Sequence, residues 1–135
     1  LTARLQRKAQ GQLRVRVLHE GWALPHREER TQLGLAAGQL AWIREVQLIC
    51  QNDVWVQARS ILPRNSLIGM GRRLTRLGNK SLGSVLFRNP QLVRGAIACA
   101  QILLRHQLCS ARRSRPSLQG HPVLVAEAFL PALLD

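Results

Sequence analysis

Acidic and aromatic residues are scarce in this sequence of 135 residues. Seven Asp and Glu stand against 20 Lys and Arg, a formal net charge of +13, and the aromatic residues are two Phe, three Trp and no Tyr. So few rings make a base-stacking surface for nucleic acid hard to build, and no helix-turn-helix, RNP or zinc-finger pattern occurs. We therefore expect no nucleic-acid partner, and a positive surface that is mostly solvated and able to steer a small anion.

Long apolar runs and paired cysteines are lacking as well. No apolar stretch reaches about 18 residues, so the sequence predicts no transmembrane helix. The cysteines are Cys50, Cys99 and Cys109, an odd number without a C-x-x-C pair or a zinc-site spacing. Such a set is a poor disulfide framework and favours a reducing cytoplasm. We expect inert, buried thiols rather than a metal site.

The hydrophobic pattern predicts an α+β fold. Hydrophobic residues make up 46% of the chain, which allows one core, and the length corresponds to a single domain, residues 1–135. Alternating or β-branched runs predict four strands, at Leu13–Val17, Ala41–Cys50, Val54–Leu62 and Val123–Leu130. Spacings near four predict helices at residues 1–10 and 66–77, one from Ser81 to near Asn89-Pro90, and a longest one at Gln91–Ser110.

The segments between these elements complete the expected architecture. Turn residues at Gln51-Asn52-Asp53 join the second and third strands into a β-hairpin. Residues 22–40 lack a firm pattern and are predicted to be a long surface loop with room for one turn of helix. Residues 111–118 are expected to be extended. The whole is a single, largely antiparallel sheet with helices packed on it.

Arg44 is a charge inside an apolar strand. By strand alternation it shares a face with Trp42, Val46 and Leu48, the face that we expect to be buried. A buried guanidinium needs an anionic partner or a bound anion. Two interpretations stay open here: a structural Arg that pairs with a core carboxylate or extends to the rim, and an Arg that binds an anionic ligand.

Glu127 is the second such charge, alone among the apolar residues of Val123–Leu130. A desolvated carboxylate must become protonated, or it must hold a cation or a hydrogen-bond donor. Such residues cluster at functional sites, although structural ion pairs have the same pattern. A plain salt bridge between Arg44 and Glu127 is therefore the structural alternative to a site.

Arg59 is the third candidate, and its position depends on the hairpin loop. If the loop has an even number of residues, Arg59 lies opposite Val46 and shares the face of Arg44. An odd number places it on the other face. Two guanidinium groups and one carboxylate on one side of a sheet would suit a small dianion.

Five motifs, in order and over nearly the whole chain, resemble the chorismate lyase family. The hairpin segments Trp42–Val46 and Trp55–Arg59 are similar to the central hairpin of that family. Three later segments resemble its LGxxxLG, RRSR and ExFLP motifs, namely Leu77–Gly83, Arg112–Arg115 and Gly120–Pro131. The chain differs at Leu1, where the family has Met, and at Ala58, where a Gly often precedes the Arg. It also starts where the family has a preceding helical segment, which we expect to be missing.

The resemblance implies a lyase that converts chorismate to 4-hydroxybenzoate and pyruvate, the first committed step of ubiquinone biosynthesis, without cofactor or metal. It implies that Arg44 holds the ring carboxylate with help from the backbone at Leu82 and Leu1. Glu127 would face the 4-hydroxyl end, and Arg59 would complete the anion site. The family buries its product under flaps, one of them near residues 22–40. We expect a cytoplasmic monomer.

Two other classes of function stay open: a ligand-binding module and, on weaker grounds, a basic protein that binds nucleic acid. The same fold resembles the effector-binding domains of bacterial transcription regulators, which bind a small ligand without turning it over. The RRSR, LG and ExFLP segments favour the lyase.

Overall fold

The structure is a computed structural model that describes residues 12–70, 72–78, 80, 82–86, 88–104 and 106–134. The helix predicted at residues 1–10 and the contact predicted for Leu1 lie outside these ranges. The α+β prediction is confirmed, with one antiparallel sheet and short helices on both of its faces.

Six antiparallel strands form the sheet, in the order β1-β2-β3-β8-β5-β4. Their bounds are Leu13–Ala23 (β1), Ala41–Cys50 (β2), Asp53–Pro63 (β3), Ile97–Leu104 (β4), Gln107–Ser114 (β5) and Leu124–Phe129 (β8). A separate two-stranded ladder pairs Ser117–Leu118 (β6) with His121–Pro122 (β7). A turn at Gln119-Gly120 connects these two short strands, and both residues have positive φ.

The central hairpin of β2 and β3 is confirmed. Its loop is the pair Gln51-Asn52, since Cys50 lies opposite Asp53. The register then shifts, because Leu48 pairs with Val56 while Ile49 pairs with Val54, which leaves Trp55 as an extra residue in β3. Because of this β-bulge, every residue of β3 after Trp55 points to the opposite face from the one that an unbroken register with β2 would give.

Short helices cover the two faces of the sheet. Arg27–Leu33 (α1) lies on one face, and Arg64–Met70 (α2) and Leu82–Leu86 (α3) lie on the other. Two 3₁₀ helices, Arg72–Thr75 and Pro131–Leu134, complete the described elements. None of the helices in the described ranges is long and apolar enough to cross a membrane.

We call the two sides of the sheet the Arg44 face and the α1 face. Residues directly opposite each other on neighbouring strands share a face, so Ser60 of β3 and Val125 of β8 lie on the Arg44 face. A core cluster covers one end of this face and contains Leu62, Leu67, Leu74, Leu77, Leu82, Leu86, Val123 and Val125. On the α1 face, Leu33 packs with a cluster that contains Ala41, Ile43, Ile61 and Leu124.

The loop predicted at residues 22–40 contains a helix. Glu28 and Glu29 occupy the first turn of α1, where carboxylates are favourable, and the Glu29 side chain accepts a hydrogen bond of 2.8 Å from the backbone N–H of His26. Gly34 ends the helix in the left-handed conformation, with φ 68°. The helix packs on the α1 face, so this part of the segment is not a flap over Arg44.

The helix predicted at Gln91–Ser110 is wrong, since most of this stretch forms the β4–β5 hairpin. β4 is an edge strand whose side chains are exposed on both faces, with Ile97 at 59% and Leu103 at 72% exposure. With neither face buried, no apolar–polar alternation marks the strand. The turn lacks a glycine as well, and His106 adopts positive φ there.

Gly95 generates a prediction about stability. Its φ is +71°, and a Cβ at this position would overlap the backbone carbonyl oxygen of Arg115. Gly38 also has positive φ, at +83°, but a Cβ there meets no atom within 4 Å. We expect Gly38→Ala to lower the free energy of unfolding by about 1–2 kcal/mol, the left-handed penalty alone. Gly95→Ala should cost about 1–3 kcal/mol more, since backbone must move.

Urea unfolding followed by circular dichroism measures both variants against the unaltered protein. Equal losses in the two variants would contradict the close approach of Gly95 to Arg115.

Candidate active site

Arg44 is as buried as the strand alternation predicted, with only 2% exposure. Its Nη1 donates a hydrogen bond of 2.7 Å to Glu20, and its Nη2 donates to the carbonyl oxygens of Gly78 and Lys80 at 2.8 and 2.9 Å. Its Nε is buried and has no hydrogen-bond partner among the described residues. Arg44 therefore joins β1 to the segment before α3, and one buried donor stays available.

Glu127 lies on the Arg44 face, because it stands opposite Ala58 in a register where Ser60 stands opposite both Arg44 and Val125. Its side chain is 16% exposed. The carboxylate accepts hydrogen bonds from Arg112 of β5, not from Arg44. The structural alternative of an Arg44–Glu127 salt bridge is therefore wrong, since each of the two groups has its own partner.

Small side chains separate Arg44 from Glu127. Between β2 and β8 runs β3, which presents Ser60 and Ala58 on this face. With strands about 4.8 Å apart and about 3.3 Å per residue, the two Cα atoms are roughly 12 Å apart. Leu82 of α3 is buried in the cluster that covers Val125. The fold thus brings Arg44, Glu127 and Leu82 to one face of the sheet, which α3 covers. We call the small side chains of Ser60 and Ala58, between Arg44 and Glu127, the floor of this face.

A cavity of about 620 Å³ opens on the Arg44 face beyond Arg44, on the side away from Glu127. Its lining residues are Trp22, Trp42, Arg64, Leu67, Ile68, Thr75 and Arg76. The indole rings of Trp22 and Trp42 meet edge to face, with centroids 5.5 Å apart. The Nε1 of Trp42 is a second buried donor without a partner among the described residues.

Arg59 does not join this face, and the prediction that placed it opposite Val46 is wrong. The hairpin loop has two residues, an even number, but the bulge at Trp55 shifts the register by one. Arg59 therefore stands opposite Glu45, on the α1 face. Its guanidinium forms ion pairs with Glu29 of α1 and with Glu45.

The Glu29–Arg59 pair is bidentate, with Nε and Nη2 donating to the two carboxylate oxygens at 2.7 and 2.9 Å. Burial by itself raises the pKa of Glu29, but the hydrogen bonds from Arg59 and from the His26 backbone outweigh it and hold this pKa below the ordinary value. The same hydrogen bond to Glu29 raises the pKa of Arg59. The pair therefore anchors α1 to the sheet as two charged groups.

No metal-binding cluster occurs where the structure describes the chain, since nowhere in it do three His, Cys, Asp or Glu side chains gather. The Arg44 face presents a buried guanidinium, a carboxylate paired with a second guanidinium, and small side chains between them.

The sequence model of the chorismate lyase family matches residues 1–135. The chain belongs to the chorismate lyase family. A protein from Marinobacter nauticus named "Probable chorismate pyruvate-lyase" is 43% identical over 128 residues, which are 95% of this chain and 62% of that protein. "Chorismate pyruvate-lyase" from Pectobacterium atrosepticum is 41% identical, over 97% of this chain and 71% of that protein.

Solved structures with the same fold share little sequence with this chorismate lyase family member. The C-terminal domain of the histidine utilization repressor from Pseudomonas syringae superposes with a TM-score of 0.70 at 10% identity, over 89% of this chain and 92% of that one. The ligand-binding domain of a putative GntR-family transcriptional regulator from Bordetella bronchiseptica gives 0.67 at 17% identity, over 90% and 86%. At these identities the likeness shows the fold alone.

Two residues of the site escaped the sequence reasoning. The sequence places Arg112 only in a segment expected to be extended and in the RRSR motif. Strand alternation over this segment, which puts Arg112 and Ser114 on one face, is the signal that identifies it. Glu20 lies beyond Val17, where the predicted first strand ends, whereas β1 continues to Ala23. A strand extended to Ala23 would have placed Glu20 beside β2.

The Glu29–Arg59 pair predicts a dependence of stability on pH. Glu29→Gln keeps the hydrogen bond to the His26 backbone, which Gln also accepts, but loses the charge beside Arg59. We expect the free energy of unfolding to fall by about 1.5–3 kcal/mol at neutral pH. The pKa of Glu29 is lower in the folded than in the unfolded chain, so its contribution is present above pH 4.5 and is lost as the pH falls through the folded value.

Denaturant unfolding at several pH values tests this expectation, and Glu28→Gln on the same helix is the control. Glu28 pairs with Arg113 but is 69% exposed, so its loss should cost less than about 1 kcal/mol. A pH-independent difference for Glu29→Gln would contradict the assigned charge state.

Proposed function

We propose that this chain catalyses the conversion of chorismate to 4-hydroxybenzoate and pyruvate. One observation carries the proposal: in a member of the chorismate lyase family, Arg44 and Glu127 share one capped face of the sheet, separated by Ser60 and Ala58. A guanidinium at one end and a carboxylate at the other match a ring that carries a carboxylate and a hydroxyl at opposite ends.

The reaction requires positioning and one proton transfer. The C4–H proton of chorismate leaves, the C3–O bond to the enolpyruvyl group breaks, and the ring becomes aromatic. The enolpyruvate takes the electron pair of the broken bond and is protonated to pyruvate. Because aromatisation drives the elimination, the side chains need only orient the substrate and move the proton, and we propose that no cofactor or metal takes part.

Arg44 is proposed to hold the ring carboxylate. Glu20 and two backbone carbonyls already occupy its terminal nitrogens. The carboxylate would therefore accept from the remaining buried donor, Nε. The backbone at Leu82 and at Leu1 is proposed to assist, the second on the family resemblance alone. These contacts offset the cost of taking the substrate carboxylate out of water.

Glu127 is proposed to face the C4 end of the ring, where it accepts the proton or orients the 4-hydroxyl group. Its ion pair with Arg112 supports an anionic side chain there. We propose that Arg59 does not contact the substrate. It lies on the α1 face, where its ion pair with Glu29 anchors α1 to the sheet.

The setting of the enzyme is part of the same proposal. We propose one domain that works as a monomer in the cytoplasm and binds no nucleic acid. Cys50, Cys99 and Cys109 are free thiols, which supports a reducing compartment. Cys50 and Cys109 are buried as predicted, whereas Cys99 is exposed. The arginines bound to Glu20, Glu127 and the α1 helix are committed inside the fold, which leaves fewer of them for a polyanion.

The second candidate is an effector-binding domain that does not turn its ligand over. Structural neighbours from transcriptional regulators favour it through the fold. Incubation with chorismate and chromatography for 4-hydroxybenzoate distinguishes the two functions. Product at a rate above the uncatalysed one supports the lyase, whereas unchanged chorismate overturns it and favours the effector-binding domain.

Arg44→Lys tests the carboxylate contact. Lysine keeps the charge but lacks the planar fork of donors, so we expect kcat/KM for chorismate to fall about 100-fold or more, as when one preorganised donor is removed. The control is Arg16→Lys on β1, whose side chain is exposed. Circular dichroism checks that both variants are folded. A folded Arg44→Lys with full kcat/KM would contradict the role.

Glu127→Gln tests the proton transfer. If Glu127 takes the C4 proton, we expect kcat to fall by about 100-fold or more while KM stays within a few-fold, since general base catalysis contributes about that much. Steady-state kinetics measure both constants. Full turnover in this variant would show that Glu127 only orients the substrate.

A further inference from the structure

Arg112 binds the proposed catalytic carboxylate of Glu127. Its role rests on the proposed function and adds a residue to that function. Arg112 stands directly opposite Glu127 on the neighbouring strand β5, on the same face. Its Nη2 and Nε donate to a single carboxylate oxygen of Glu127, Oε1, at 2.7 and 3.3 Å. Within the described ranges, no donor reaches the other oxygen, Oε2. The Arg112 side chain thus fixes one oxygen of the carboxylate and leaves the second one available.

A further contact holds the guanidinium itself in place. Its central carbon lies 5.6 Å from the ring centroid of Phe129, which is two residues beyond Glu127 on β8 and therefore on the same face. A cation at this distance is attracted by the ring. The Phe129 ring in turn packs against the core cluster of Leu48, Cys50, Trp55 and Val56. Arg112 is therefore positioned by the hydrophobic core as well as by Glu127.

The neighbour of Glu127 on its other side is small. Ala58 of β3 stands opposite Glu127, so the space over the floor is open toward β3 and closed toward β5 by Arg112. Ser60 lies beyond Ala58 on this face, opposite Arg44. A ligand held by Arg44 would therefore reach the carboxylate of Glu127 from the side of β3, where no donor among the described residues occupies it.

We propose that Arg112 is a positioning residue of the lyase: it holds Glu127 as a carboxylate through Oε1 and aims Oε2 at the C4 end of the substrate ring. Arg112 itself does not touch the substrate. Its effect passes entirely through Glu127, so it belongs to the step in which Glu127 takes part and not to the binding of the ring carboxylate at Arg44.

Arg113 is a matched control for the experiment. It is the next residue of the same strand and also forms an ion pair, but on the α1 face with the exposed Glu28. Arg112→Gln and Arg113→Gln remove the same charge from adjacent positions. Thermal unfolding and circular dichroism first confirm that both variants are folded. Arg112→Lys, which keeps a charge but loses the two-point contact, is the conservative variant.

Steady-state kinetics with chorismate are expected to separate these variants. For Arg112→Gln we expect kcat to fall about 10–100-fold, the range for a catalytic group displaced by about 1 Å, with KM within about twofold. Arg112→Lys should recover part of this loss, and Arg113→Gln should keep kcat. In the Glu127→Gln background, adding Arg112→Gln should lower kcat by no more than about twofold, because the two residues act as a unit.

Three results would overturn the role of Arg112 while leaving the lyase intact. These are a kcat for Arg112→Gln within twofold of the unaltered protein, an equal loss in Arg113→Gln, or a full further loss in the Glu127→Gln background. Absence of turnover by the unaltered protein is a different result, since it overturns the proposed function and this role with it.

Discussion

The guanidinium of Arg44 is enclosed between the sheet and the helices that cover it. Three of its hydrogen bonds run to Glu20 on β1 and to two carbonyl groups just before α3. A buried charge that loses such partners destabilises a protein by several kcal/mol, so this one side chain restricts where the covering segment can lie. The cap over the Arg44 face and the proposed carboxylate contact therefore depend on the same residue.

The small number of carboxylates is a second constraint on the structure, because each glutamate pairs with a particular arginine. All five glutamates of the sequence form ion pairs with arginines, namely Glu20, Glu28, Glu29, Glu45 and Glu127. Two adjacent residues of β5 divide these contacts between the faces, because Arg112 pairs with Glu127 and Arg113 pairs with Glu28. With 20 basic side chains and seven acidic ones, a misplaced carboxylate would leave a buried cation without a partner. The positions of the five glutamates therefore decide which arginines are paired within the fold.

The two faces of the sheet have different roles: the α1 face holds structural ion pairs, and the Arg44 face holds the proposed active site. On the α1 face, Arg59 bridges Glu29 and Glu45 and holds a short helix in place. On the Arg44 face, the hydrophobic clusters occupy the two ends, and the stretch between them carries Ala58, Glu127 and Arg112. The polar side chains on this stretch do not interrupt the hydrophobic packing, because the two clusters lie on either side of them. This explains how a chain of one sheet can hold charged groups at its centre.

The sequence by itself determined the central hairpin, the C-terminal strand and the burial of Arg44, because apolar–polar alternation is a local property with a period of two residues. It also determined the family, through motifs in order. Only the tertiary structure decided the partners of the charges and the face of Arg59. One extra residue at Trp55 exchanges the faces, and no local pattern records it. The same holds for β4, an edge strand exposed on both sides. Neither of its faces is buried, so its apolar and polar residues do not alternate along the sequence. Only its pairing with β5 identifies it as a strand.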